Sequence, residues 1–136
     1  MAGSTGAAAM LDQAAARVAA LEALTASGRA GLEQVLEPAI AAVAVAMRAA
    51  LIAAGKPLPA DDADVLDVWQ ALVKGEPTWN TLRDNCRELV YDRNCLAASR
   101  TDALPAAPAR MAVRTARHVL LYVRTRAVRD GWAGEA

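Results

Sequence analysis

The chain has no phenylalanine, one histidine and two cysteines in 136 residues, and its aromatic content is only 4%. A core so poor in large rings must be filled by bringing backbones close together. Much of the 55% hydrophobic content is alanine, which has the lowest helix cost and lets helices approach each other. Net charge is missing too, because 15 basic and 15 acidic residues cancel. That excludes a whole-protein field that draws in DNA, RNA or an anionic membrane, and leaves such contacts to local patches. Cys86 and Cys95 are too few for the disulfide framework of a small secreted domain. Met1 to Gly6 has no basic residue before the first apolar run, so it does not read as a signal peptide. The expected location is cytoplasmic. The most apolar stretch, Ala39 to Ala54, is shorter than the about 20 residues of a membrane span and contains Arg48. It reads as a buried helix, and no membrane contact is expected.

What is present is helical periodicity. Leu11, Ala14, Val18 and Leu21 predict a helix from Met10 to about Ser27, ended by Gly28. A second run starts near Ser27 or Arg29, and Pro38 predicts a kink or break near Leu36-Glu37. Beyond it, Ile40, Val43, Met47 and Leu51 share one face and Val45 and Ile52 another, as in a central helix. Gly55 to Ala60 stops that helix, and Asp61 or Asp62 is placed to cap a short one with Val65, Trp69, Leu72 and Val73 inward. A fourth helix is expected from about Thr78 to Ala98, with Trp79, Leu82, Cys86, Leu89, Arg93 and Leu96 in one stripe. Pro108 opens a last helix that ends before Gly131. The expected architecture is all-α, an up-and-down antiparallel bundle of four to five helices. It forms one domain over 8–131, between flexible segments at 1–7 and 132–136. At this length one domain buries about two-thirds of its unfolded surface.

Catalytic and metal chemistry find little support. His118 is the only histidine, and it is accompanied by no nucleophile elbow, phosphate loop or dinucleotide fingerprint. Cys86 and Cys95 lie nine residues apart on one helix, which at about 100° per residue points them to opposite sides. Asp84, Glu88 and Asp92 recur at four-residue spacing without the Glu-x-x-His pairs of a di-iron bundle, so they read as a solvated acidic stripe. No metal, no cofactor and no catalytic residue is expected. Trp69 and Trp79 suit core packing, with the lining of a small-ligand pocket as their other use.

The last helix is more informative. Between Pro108 and Arg129 it holds Arg110, Arg114, Arg117, Arg124, Arg126 and Arg129, and no acid. One reading is an anion or RNA-backbone surface with Tyr122 for stacking. The other is internal pairing with Asp61 to Asp67 or Asp84 to Asp92. Leu121 and Val128 among the arginines give the mixed composition of a protein interface, so a homodimer or another protein partner is expected there, with a second layer of intramolecular packing as the other reading of the same pattern.

The string Arg93-Asn94-Cys95-Leu96-Ala97-Ala98 resembles the RN-x-L-A-H form of the motif in HEPN domains, a superfamily of four-helix up-and-down bundles. Its place also matches, at the end of the penultimate long helix and before a loop and a closing amphipathic helix. The resemblance covers most of the chain in layout and a few positions in specific residues. It implies an RNA- or nucleotide-associated module of a defence or toxin–antitoxin type, in which Arg93 and Asn94 contact the anion. Ala98 stands where the family has histidine, and alanine cannot move a proton, so the resemblance implies a non-catalytic member. The candidate binding residues are therefore Arg93, Asn94, Arg110, Arg114, Arg117, His118, Leu121, Tyr122 and Arg124.

Overall fold

Gly28, held at φ 74°, takes the left-handed conformation that ends the first helix, α1 (Ala2–Ala26). The computed structural model describes residues 2–135. Helix α1 starts at Ala2 rather than Met10, because Ala7 extends the Leu11, Ala14, Val18 and Leu21 stripe by one turn and is buried with it. Most of the segment expected to be flexible at 1–7 therefore belongs to α1, while Met1 lies outside the described residues.

Helix α2 (Leu32–Ala53) begins after Gly31, whose N–H donates to Gln34 Oε1 at 2.7 Å. It runs without a break through Pro38, contrary to the expected break at Leu36-Glu37. The physical reason is position: Gln34, Glu37 and Pro38 all lie on the exposed side, so the Gln34 carbonyl that proline leaves unbonded can be taken up by solvent. This makes α2 longer than the apolar stretch alone implied, and by length and composition it is long and apolar enough to cross a membrane. In the bundle it is the central helix, touching α1, α3 (Val65–Val73), α4 (Arg83–Ala97) and α5 (Pro108–Asp130).

These five α-helices, with short 3-10 turns at Pro77–Leu82 and Thr101–Ala103, form an all-α bundle that has no strand among the described residues. Helix α5 runs against α1, since Glu22 meets Arg117 and Asp12 meets Arg124. It also runs against the Pro77–Leu82 turn and α4, where Thr78 of the turn meets Tyr122 and Glu88 of α4 meets Thr115. It runs alongside α2 in the same direction: Leu32 lies near Pro108 at one end, and Ala53 near Gly131 at the other. The α2–α5 pair is thus the short diagonal of the bundle. Alanine permits that approach, as Ala42, Ala46, Ala49 and Ala50 on α2 and Ala112, Ala116 and Ala127 on α5 are all buried.

The α2–α4 crossover is tied down from inside. Arg48, the one charge in the apolar run, reaches out to donate to the carbonyls of Pro59 and Ala60, and Lys56 Nζ donates to the Leu72 carbonyl at 2.7 Å. The residue capping α3 is Asp64, not Asp61 or Asp62. The helix expected from Thr78 is split into the 3-10 turn and α4, and buried Trp69 of α3 donates from Nε1 to the Trp79 carbonyl of that turn at 3.0 Å. At the far end Gly131, at φ 81°, stops α5. The expected flexible tail over 132–136 is partly held: Trp132 packs on the core and the Gly134 carbonyl accepts from Arg124 Nη1 at 3.0 Å. Ala136 lies outside the described residues.

Candidate functional site

The arginines of α5 divide into two groups once the neighbouring helices are in place. Arg117 forms a bidentate pair with Glu22 of α1 (2.6 and 3.1 Å), and Arg124 reaches Asp12, nearly three turns nearer the start of α1, at 2.7 Å. Arg126 is turned inward and is only 6% exposed. Its guanidinium lies 4.1 Å above the Trp79 ring, bonds Thr78 Oγ1 at 3.0 Å and meets Glu76 at 3.3 Å. Arg129 pairs with the adjacent Asp130. The carboxylate partners therefore come mainly from α1 and the α3–α4 connection, not from Asp61 to Asp67 or Asp84 to Asp92 as the sequence led us to expect. Sequence distance hides them, because Glu22 and Arg117 meet only when the first and last helices pack together.

Arg110 and Arg114 remain exposed, with no ion-pair partner among the described residues. They share the outer crest of α5 with His118, Leu121, Thr125 and Val128, all exposed. Leu121 is 55% exposed, and Met111 stands on the α4 side of the same crest. Tyr122 is engaged elsewhere: its ring meets Trp79 edge-on at 5.6 Å, and its hydroxyl donates to the Thr78 carbonyl at 3.2 Å.

Arg93 and Asn94 separate. Arg93 Nη1 and Nη2 donate to the two Asp64 carboxylate oxygens at 2.8 and 2.7 Å, joining α4 to the start of α3, while Asn94 is exposed. The bidentate guanidinium holds the Asp64 carboxyl below its usual value, chiefly by hydrogen bonding. An inward-stripe arginine thus finds an acid from another helix at a half-buried position.

Between α4 and α5 lies a groove of about 600 Å³, lined by Asp84, Arg87, Glu88, Tyr91, Asp92, Pro105, Met111 and Thr115. The acidic stripe borders it but is not uniformly solvated. Asp84 and Glu88 are exposed, whereas Asp92 is only 7% exposed. The reason is helical drift: each four-residue step turns about 40° further round the axis, so the third carboxylate rotates under the rim. No described side chain pairs with or hydrogen-bonds Asp92, and burial, with Glu88 adding like charge, raises its pKa. Tyr91 donates from its hydroxyl to the Ala103 carbonyl at 3.1 Å, anchoring the loop that supplies Pro105. The sequence signal for this site was the four-residue carboxylate spacing; its third member's burial came from packing.

The remaining reactive groups are quiet. Cys86 faces Met47 in the core, and burial pushes its thiol up to about 12, far from the range of a nucleophile. Cys95 is buried as a free thiol. Among the described residues no three His, Cys, Asp or Glu side chains converge as a metal site would require. No family model matches the chain, and neither a curated protein nor a solved structure matches it.

Proposed function

We propose that this chain is a non-catalytic interaction module that associates with a second copy of itself through the outer crest of α5. The observation that carries the reading is Leu121, 55% exposed on the same crest of α5 as Arg110 and Arg114, whose guanidinium groups the bundle does not neutralise. Exposed leucine, methionine and valine mixed with arginine match the composition of interface cores, where arginine is enriched. Charge complementarity selects a second copy as partner. The crest bearing Arg110 and Arg114 lies beside an α4 edge bearing Asp84 and Glu88, so a two-fold contact sets each basic crest against the other acidic edge. The Arg93–Asp64 pair favours this reading over RNA contact, because it occupies the guanidinium that a phosphate would use.

Light scattering at increasing protein concentration tests the proposal directly. The expected result is a dimer at micromolar concentration that dissociates in high salt and in Leu121→Asp. A wild-type chain that stays monomeric up to about 100 μM would rule out self-association, since such an affinity is weaker than a specific contact of standard size supplies.

A further inference from the structure

We infer that the α4–α5 groove is a binding site for an organic cation, an alkylammonium or alkylguanidinium group whose charge sits on Asp92 and whose stem lies against Tyr91, Met111 and Pro105. Four features lead to this ligand class. The groove is open to solvent and offers about 600 Å³, within the size range of small-molecule sites. Its lining includes Asp92, a residue only 7% exposed, whose carboxylate opens on the groove and is bonded by no described side chain. A carboxylate partly stripped of water and set beside the like charge of Glu88 is relieved by a counter-charge that brings its own hydrogen-bond donors. Its walls combine an aromatic ring, a thioether and a proline, surfaces that suit methylene groups and the face of a cation.

The surrounding charges agree with that polarity. From α4 the groove receives Asp84 and Glu88 on the rim, with Arg87 exposed beside them; from α5 it receives only Met111 and Thr115, and from the loop only Pro105. Three carboxylates against one arginine leave the groove negative. An inorganic ion fits it poorly, because the carboxylates are strung along the helix and do not converge. Burial and Glu88 hold the Asp92 carboxyl above its usual value, the direction expected where a cation is awaited and a proton competes for the same oxygen. The groove shares Asp84 and Glu88 with the proposed self-contact, so a cation here competes with the second copy's crest, and Leu121→Asp, kept monomeric, should bind the same cation at least as well.

Titration calorimetry tests the inference with two probes, spermidine as a free polyamine and N-acetyl-arginine amide as the side chain of a protein partner. At least one should bind at pH 7.5, and binding should weaken about tenfold or more in Asp92→Asn, as expected for losing a charge-assisted bond. Thr115→Trp, which fills the groove and leaves the carboxylate in place, should abolish the same heat. Affinity should fall as pH drops through the raised carboxyl of Asp92. The stronger probe identifies the source as free polyamine or protein side chain. Absence of binding by both probes overturns the inference. So does binding that Asp92→Asn leaves unchanged, or Mg²⁺ binding as tight as spermidine, since either reduces the site to surface charge.

Discussion

Asp64, at the start of α3, and Asp92, on α4, behave in opposite ways, and their difference comes from whether a neighbouring helix supplies an arginine. Asp64 receives both Arg93 nitrogens, while Asp92 meets only burial and the like charge of Glu88. The pKa of Asp64 is lowered by Arg93, that of Glu22 by Arg117 and that of Glu76 by Lys56. For these groups the folded pKa lies below the unfolded one, so their stabilisation is fully present above about pH 4 and is lost as pH falls through the folded values. Asp92 has the other sign: its ionisation opposes folding above the unfolded carboxylate pKa, and protonation relieves it as pH falls. Asp92→Asn is therefore expected to raise the thermal midpoint at pH 7.5 and to lose that advantage near pH 4; calorimetry at the two pH values checks it. A double-mutant cycle on Arg93→Ala and Asp64→Ala, followed by urea unfolding, should give a coupling of about 1 kcal/mol or less, because both side chains are about a third exposed.

At the scale of elements, the short diagonal formed by α2 and α5 sets what the sequence can tolerate. Ala116 is fully buried on α5, where extra methyl groups have no space. Ala116→Leu should destabilise by about 1–3 kcal/mol through overpacking, measured as a lower urea midpoint. Pro38 presents the reverse case, since it interrupts one backbone bond on an exposed face of a helix that otherwise continues. Pro38→Ala restores the N–H for the Gln34 carbonyl, and the gain, on the order of 1 kcal/mol, is limited by the freedom it returns to the unfolded chain. An unchanged midpoint in that variant would mean the carbonyl is already as well satisfied by solvent.

For the whole molecule, stability and association are expected to separate. Leu121 lies outside the core, so Leu121→Asp should leave the unfolding free energy within about 0.5 kcal/mol while removing the dimer. Parallel denaturation at a concentration where both forms are monomeric, alongside light scattering, distinguishes loss of an interface from loss of fold.

The all-helical architecture was legible in the chain because its evidence is local. The apolar stripe of α5, Ala112, Ala116, Val119, Leu120, Val123 and Ala127, is buried in full, as a 3.6-residue period requires whatever the partner. Gly28 and Gly131 mark their helix ends by a backbone conformation that glycine alone adopts easily. Pairings were not legible, because they join residues far apart in the sequence: Arg117 with Glu22, Arg93 with Asp64, Arg126 between Trp79 and Glu76. Nor does the spacing of Asp84, Glu88 and Asp92 say which of them the rotation of α4 carries beneath α5 and the Pro105 loop. Composition and period by themselves determined an alanine-rich helical bundle, since helix propensity and amphipathic faces are properties of neighbouring residues. Only the tertiary structure decided which arginines are neutralised and which carboxylate stays unpaired, because charge is compensated across helices, at distances the sequence does not encode.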